Sequence, residues 1–342
     1  MERTELNTLG EFGLINRIAS NFLNQNQETI KGIGDDAAVI DMGGNEYLLL
    51  STDMLLEGIH FDLAYTPLKH LGYKAVAVNV SDIAAMNGIP KQITVSVALS
   101  NRISVEALDE LYEGIKYACE DFKVDLVGGD TSASRSGLVI SITATGLVEK
   151  NKITYRNTAK ANDILCVTGD LGAAYFGLQI LEREKQVFLA NPQMQPELEE
   201  KEYLVEKILK PAARTDIVHE LNEAGVVPTA MIDISDGLAS EILHIASQSG
   251  LGVQVYEDKL PIEDLTFLAA TEFNINPITA ALNGGEDYQL LFTISQADFE
   301  KIKHLSDITP IGYMTDNQVV ELVLKSGNKT KITAQGWNHL KA

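Results

Sequence analysis

The placement of six aspartates constrains this chain more than any other feature. Asp36 sits in Gly34-Asp35-Asp36-Ala37-Ala38, Asp53 in Ser51-Thr52-Asp53, and Asp82 in Asn79-Val80-Ser81-Asp82. Asp130 follows Gly128-Gly129, while Asp233 and Asp236 share the run Asp233-Ile234-Ser235-Asp236-Gly237. Each stands at a glycine turn, at the end of an apolar run, or on the apolar stripe of a helix. Carboxylates in such places lose hydration and repel one another, so they stay ionised only when cations join them. Hard oxygen ligands of this kind suit Mg²⁺, which binds through a few carboxylates together with substrate phosphates. The pattern points to phosphoryl chemistry.

The rest of the composition narrows the setting. At 342 residues the chain is too long for one ordinary core, and two domains are expected. Acidic residues outnumber basic ones by 48 to 27, a formal net charge of -21. Such a surface repels nucleic acid, and no basic run offers a compensating patch. An anionic metabolite can still bind if metals invert the local charge. Cys119 and Cys166, the two cysteines, are far apart and form no Cys-x-x-Cys site, which fits packed thiols in a reducing cytoplasm. The N-terminus Met1-Glu2-Arg3-Thr4-Glu5-Leu6 lacks the layout of a signal peptide. The apolar stretch around residues 75–80 is broken by Asn79, Ser81 and Asp82, so no membrane span is expected.

Along the first part, strands alternate with long helices. The run Glu46–Ser51 reads as a short strand ending at Thr52-Asp53. Pro67 suits the first position of a helix whose apolar stripe is Leu68, Leu71, Ala75, Val78, Asp82 and Ala85. A carboxylate on that stripe needs a partner, and Lys74, two turns back on nearly the same face, is the ordinary alternative to a metal. Ile93, Val95, Val97 and Leu99 alternate as in a half-buried strand. Ser104 is placed to cap a helix with core residues Val105, Leu108, Leu111, Ile115 and Phe122. Residues 124–127 form a strand emptying into the Gly128-Gly129-Asp130-Thr131 turn, and residues 138–148 form a longer one. The polar break Glu149-Lys150-Asn151-Lys152 divides the chain into domains 1–149 and 150–342. Beyond it, a strand over residues 163–167 leads through a glycine turn to a helix, and residues 182–202 read as a polar surface excursion. After the strand Met231–Ile234, Ser235 or Asp236 can cap the next helix, whose N-terminus favours an anion or a metal-bound phosphate.

Several chemistries are excluded. No Gly-x-x-x-x-Gly-Lys-Ser/Thr loop is present. Gly32-Ile33-Gly34-Asp35-Asp36-Ala37 matches a relaxed dinucleotide fingerprint, but its carboxylates would face the pyrophosphate, and strand and turn, not helix, follow. There is no His-Glu-x-x-His pair and no Gly-x-Ser-x-Gly elbow. Metal-bridged phosphate binding survives.

From end to end the chain resembles the thiamine-monophosphate kinases of the PurM-like superfamily, which also holds aminoimidazole ribonucleotide synthetase. The resemblance rests on Gly10-Glu11-Phe12-Gly13, Gly34-Asp35-Asp36-Ala37-Ala38, Ser51-Thr52-Asp53 with Gly58-Ile59-His60-Phe61, and Asn79-Val80-Ser81-Asp82. It continues through Gly128-Gly129-Asp130-Thr131, Asp233-Ile234-Ser235-Asp236-Gly237, Gly284-Gly285-Glu286-Asp287-Tyr288 and Gly336-Trp337-Asn338-His339. The resemblance implies an α/β, two-domain PurM-like fold. Its N-terminal domain would complete a barrel with a second subunit of a homodimer, and its C-terminal domain would close the cleft. It implies several Mg²⁺ ions held by Asp36, Ser51, Thr52, Asp53, Asp82, Asp130, Asp233 and Asp236. ATP would meet Tyr112, Gly129, Asp130, Arg156 and Ser235, and thiamine phosphate would meet His60, Glu286 and Trp337. The implied reaction is direct phosphoryl transfer from ATP to thiamine phosphate, giving thiamine diphosphate. The alternatives are another ATP-dependent synthetase of the superfamily and a non-catalytic acidic metal-binding module. Structural roles compete at three positions: Trp337 as a core aromatic, His60 as a cap on local backbone, and Arg156 as an interdomain ion pair.

Overall fold

The structure is a computed structural model that describes residue 8 and residues 10–334. The N-terminal half opens with α1 (Gly10–Ala19), β1 (Thr29–Lys31), β2 (Ala38–Ile40) and β3 (Glu46–Leu56). It continues with α2 (Leu68–Ala85), β4 (Ile89–Leu99), α3 (Val105–Phe122), β5 (Asp125–Ala133) and β6 (Val139–Glu149). Its strands form one six-stranded sheet in the order β1-β2-β3-β6-β4-β5. All neighbours run antiparallel except β4 and β5. One face of this sheet is packed beneath α2 through Val39, Leu49, Ile93, Val95, Ile140 and Ile142. The other face carries Leu50, Thr52, Met54 and Ser96, all exposed. The sheet does not close on itself.

The C-terminal half holds β7 (Ile164–Thr168), α4 (Ala173–Ala190), α5 (Glu202–Leu209) and α6 (Thr215–Glu223). Next come β8 (Ala230–Asp233), α7 (Leu238–Ser249), β9 (Gly252–Tyr256), α8 (Asp264–Phe273) and α9 (Pro277–Asn283). Then follow β10 (Leu290–Ile294), α10 (Gln296–Ile302), β11 (Ile308–Thr315), β12 (Val320–Val323) and β13 (Lys329–Lys331). The second sheet runs β13-β12-β9-β11-β7-β10-β8. Helix α2 lies between the halves. It is buried on nearly every side from Leu71 to Ala85, and Ala84 and Ala85 join the core of the second sheet with Cys166, Met231 and Phe292. An all-round buried helix explains why Asn79, Ser81 and Asp82 can be directed at partners instead of solvent.

Six local expectations are corrected. Asp53 does not end a strand: β3 runs on to Leu56 because β6 offers it an unbroken partner from Glu149 to Val139. The Gly128-Gly129-Asp130-Thr131 segment is not a turn but the middle of β5. Its glycine serves close approach, since a Cβ on Gly129 would fall 1.9 Å from the Val95 carbonyl oxygen. Ser104 does cap α3, accepting from the Ala107 N–H at 3.2 Å, but Val105 points outward and is 71% exposed. Residues 182–190 remain in α4, so the excursion narrows to residues 191–201. The N-cap of α7 is Gly237 with no side-chain cap; Asp236 is turned towards the cleft, and its N–H donates to Glu241 Oε1 at 2.9 Å. The rejection of the dinucleotide fingerprint holds, because Ala38–Ile40 is a strand. Pro67 stands one place earlier than expected, at the N-cap of α2.

Candidate functional site

A cleft of about 1550 Å³ runs between the halves. One wall is the α2 stripe Lys74, Val78 and Asp82, and the facing elements bring Asp36, Asp53, Asp233, Ser235, Asp236 and Glu286 to it. On β3, side chains alternate, so Ser51 and Asp53 face α2. The Ser51 hydroxyl donates to Asp82, and Asn79 Oδ1 accepts from the Asp53 N–H at 2.9 Å. From the second half, Asp233 at the end of β8 accepts from the Ser81 hydroxyl at 2.6 Å. Neighbouring residues of α2 thus grip both sheets. Their carboxylates meet at its surface: one oxygen each from Asp36, Asp82 and Asp233 lies within 4.8 Å of the others.

Burial raises the pKa of every member of this group. Asp233 is pushed up to about 7 by burial and then by the charge of Asp36, against the Ser81 hydrogen bond and Arg156. Burial drives Asp82 well above the carboxylate range, followed by the charges of Asp53, Asp233 and Asp36. Asp36 rises through burial, opposed by Arg156. Asp53 also rises through burial, opposed by a hydrogen bond with Asp82. Four carboxylates that resist ionisation together form a site for added positive charge. The donor set fits a hard divalent cation: all oxygen, converging, with Asp36 Oδ2 buried and lacking a hydrogen-bond partner.

The remaining candidates divide by location. Arg156 crosses between the halves, with Nη2 2.5 Å from Asp36 Oδ1 and Nε 3.5 Å from Asp35 Oδ1. Asp35 is raised to about 6 by burial and then by Asp36, and its carboxylate also accepts from the Arg156 main-chain N–H at 3.4 Å. His60 lies in the cleft on the tight loop after β3, where Nδ1 accepts from the Leu56 N–H at 3.0 Å. The neutral ring therefore carries its proton on Nε2. Ser235 and Glu286 are joined, the Glu286 N–H donating to the Ser235 carbonyl at 2.7 Å. Lys74 does not partner Asp82; its Nζ is 2.5 Å from Glu286 Oε2.

Four candidates stand apart. Thr52 turns its hydroxyl to the opposite face of β3, towards the Ile142 carbonyl at 3.0 Å and the Thr143 hydroxyl at 3.1 Å. Gly129 and Asp130 lie on the exposed edge strand β5. From Asp53 the register passes through Ile142 and Val95 to Gly129, three strand spacings or roughly 14 Å. Tyr112 packs on the N-terminal core from α3 and does not line the cleft. Trp337 lies outside the described residues. Sequence reasoning missed Asn79, Ser81 and Glu241 as builders of the site. The first two were signalled by polar residues inside an apolar stretch; Glu241 carried no signal beyond its place in the first turn of α7.

Residues 34–148 match the family described as AIR synthase related protein, N-terminal domain. The thiamine-monophosphate kinase of Bacillus subtilis is 35% identical over 341 residues, covering 97% of this chain and all of that protein. The thiamine-monophosphate kinase of Aquifex aeolicus is 36% identical over 335 residues, covering 98% and 99%. A solved structure of AaThiL complexed with AMPPCP and TMP superposes with a TM-score of 0.84 at 33% identity, covering 99% of this chain and all of that one. The hydrogenase maturation protein HypE in complex with ATP shares the fold at 17% identity, with a TM-score of 0.68 and coverage of 95% and 96%.

Proposed function

The chain belongs to the thiamine-monophosphate kinase family, and from that membership we infer its reaction. It is an ATP-dependent kinase that phosphorylates thiamine phosphate to thiamine diphosphate. The observation that carries this reading is the meeting of Asp36, Asp82 and Asp233, the last buried and the other two partly so, in the cleft between the halves. Such a cluster has little structural use, and two polyanionic substrates need it.

Asp36, Asp53, Asp82, Asp233 and Asp236, with the Ser51 hydroxyl, would hold Mg²⁺, which when bound offsets the repulsion between the two phosphate groups. A contribution from Thr52 would come from its main chain, given where its hydroxyl points. The acceptor is a phosphate oxygen already anionic at neutral pH, so no residue needs to remove a proton from it. The protein's task is to align donor and acceptor. Arg156, drawn over Asp36 by its ion pair, is set to meet the ATP phosphates, and Ser235 lines the same cleft. His60, fixed through Nδ1, presents Nε2–H to thiamine phosphate, and Glu286 approaches from the other half. Transfer is direct, without a phosphoenzyme.

Asp130, Gly129 and Tyr112 fit this scheme only through a second copy. The six-stranded sheet ends at the open edge β5, and pairing of two such sheets into a barrel would bring one chain's β5 to its partner's site. We therefore read the protein as a homodimer. A cytoplasmic setting goes with its two free thiols; no described helix is long and apolar enough to cross a membrane. The test is ADP release from ATP with and without thiamine phosphate. Release that depends on thiamine phosphate supports the kinase, whereas release indifferent to it favours a synthetase acting on another acceptor. Inversion at phosphorus with chiral γ-thiophosphate ATP supports direct transfer, and retention overturns it.

A further inference from the structure

Lys74 is an unexpected residue for its position. Its side chain is 3% exposed, in the middle of a helix buried on nearly every side. It heads the stripe that runs through Val78 to Asp82 along the cleft. A buried ammonium requires a fixed counter-charge. Helical spacing offers Asp82, yet the ammonium reaches across the cleft to Glu286, 2.5 Å away.

The segment that carries Glu286 is held in an unfavourable shape. Gly285, Glu286 and Tyr288 have φ of 69°, 62° and 49°, the left-handed region that side chains avoid unless their surroundings impose it. Gly285 has no alternative, because a Cβ there would come within 2.7 Å of the Ser235 carbonyl oxygen. Main-chain hydrogen bonds pin the turn to β8 and its extension: Glu286 N–H to Ser235 O at 2.7 Å and Tyr288 N–H to Ile234 O at 2.8 Å. These fix the backbone and leave the carboxylate's direction to Lys74. The contact is oblique, an ion pair and not an aligned hydrogen bond, so the carboxylate keeps acceptor capacity for a ligand in the cleft.

We propose that Lys74 is a positioning residue for the acceptor substrate: by holding the Glu286 carboxylate it sets the thiamine-phosphate side of the cleft and ties it to α2, which carries Asp82. The proposal rests on the kinase reading and on Glu286 facing thiamine phosphate. Lys74→Met keeps the stem and removes the charge. It is expected to raise KM for thiamine phosphate at least about tenfold while KM for ATP moves less than about twofold. Glu286→Gln gives the same selective rise, and the double variant adds less than about twofold to either, because the two side chains act as one unit. Lys74→Arg, which restores the charge, recovers part of the acceptor affinity. Equal rises for both substrates, additive effects, or no recovery with arginine would overturn the proposal. Should Lys74→Met fail to fold, calorimetric titration of thiamine phosphate into Lys74→Arg and Glu286→Gln in the absence of ATP carries the same comparison. Weakened binding in Glu286→Gln with milder weakening in Lys74→Arg supports the proposal, and unchanged binding in Glu286→Gln overturns it. Wild-type protein separates the two readings. Without thiamine-phosphate-dependent ADP release the function falls first, whereas normal wild-type turnover with unselective variants removes Lys74 alone.

Discussion

Two regions of this molecule carry the same kind of sequence signal and reach opposite structural ends. In the cleft, Asp36, Asp82 and Asp233 come from sequence positions far apart and converge within a single chain. On β5, Asp130 sits beside two glycines in a motif equally suggestive of phosphate chemistry, yet it lies on an exposed edge. The difference lies in what each backbone is paired with. Asp53 and Asp233 are on strands joined to α2 by Ser51, Asn79 and Ser81. Strand β5 has a partner on one side only, and an open edge is a template for another chain. A carboxylate motif alone does not tell where its strand lies: the same kind of run is drawn into the cleft in one place and left on an exposed edge in the other.

The largest expected effect tests the cleft. Asp53→Asn keeps the shape and removes the charge, and it should lower kcat by about a thousandfold or more, with the fold retained by circular dichroism. Near-wild-type ADP release at limiting Mg²⁺ would remove Asp53 from the site.

The edge is tested by mixing. If Asp130 serves the partner's site, Asp53→Asn and Asp130→Ala are each inactive, but their equimolar mixture, exchanged through dissociation, should regain roughly a quarter of wild-type turnover. No recovery in mixtures shown to contain heterodimers would place both residues in one chain's site and erase the contrast drawn here.

A pH experiment sharpens the comparison, because the cleft carboxylates are desolvated whereas Asp130 is exposed. Asp233 rises from 3.8 to about 7, and Asp82, Asp53 and Asp36 rise with it. The native state then binds protons that the unfolded chain has released, so stability falls as pH increases across that window. Without divalent metal the melting temperature should drop by several degrees between pH 5 and about 7.5, and Mg²⁺ should flatten the slope. Asp82→Asn should reduce the slope. A metal-free protein more stable at the higher pH would contradict the burial argument.

The smallest effect concerns Thr52. Its hydroxyl is committed to the far face of β3, so Thr52→Val should leave turnover within about twofold of wild type. A loss like that of Asp53→Asn would mean that the strand rotates when substrates bind.

Much of the site was legible in the sequence because carboxylates in apolar context are costly enough to be retained only for a purpose. Asp82 on the α2 stripe is the clearest case. Local spacing misled where tertiary pairing overrode it. The apolar run before Asp53 looked complete at Ser51, yet β6 carried the strand on to Leu56. Gly128-Gly129 looked like a turn because glycine permits turns, but here it permits β5 to approach Val95. Helical spacing offers Lys74 as the alternative to a metal for Asp82, because periodicity cannot see Glu286 arriving from the other half.

By itself the sequence determined the chemistry of the site, an all-oxygen anionic set without a nucleophile motif, and the strand and helix pattern that carries it. Those are matters of residue type and short-range spacing. Only the tertiary structure decided which carboxylates meet, that Ser81 and Asn79 hold them, that Lys74 answers Glu286, and that Asp130 faces outward. Such relations depend on long-range register and on which surface of α2 meets which sheet. Those follow from burying one helix between two sheets at once, a constraint no local window of sequence contains.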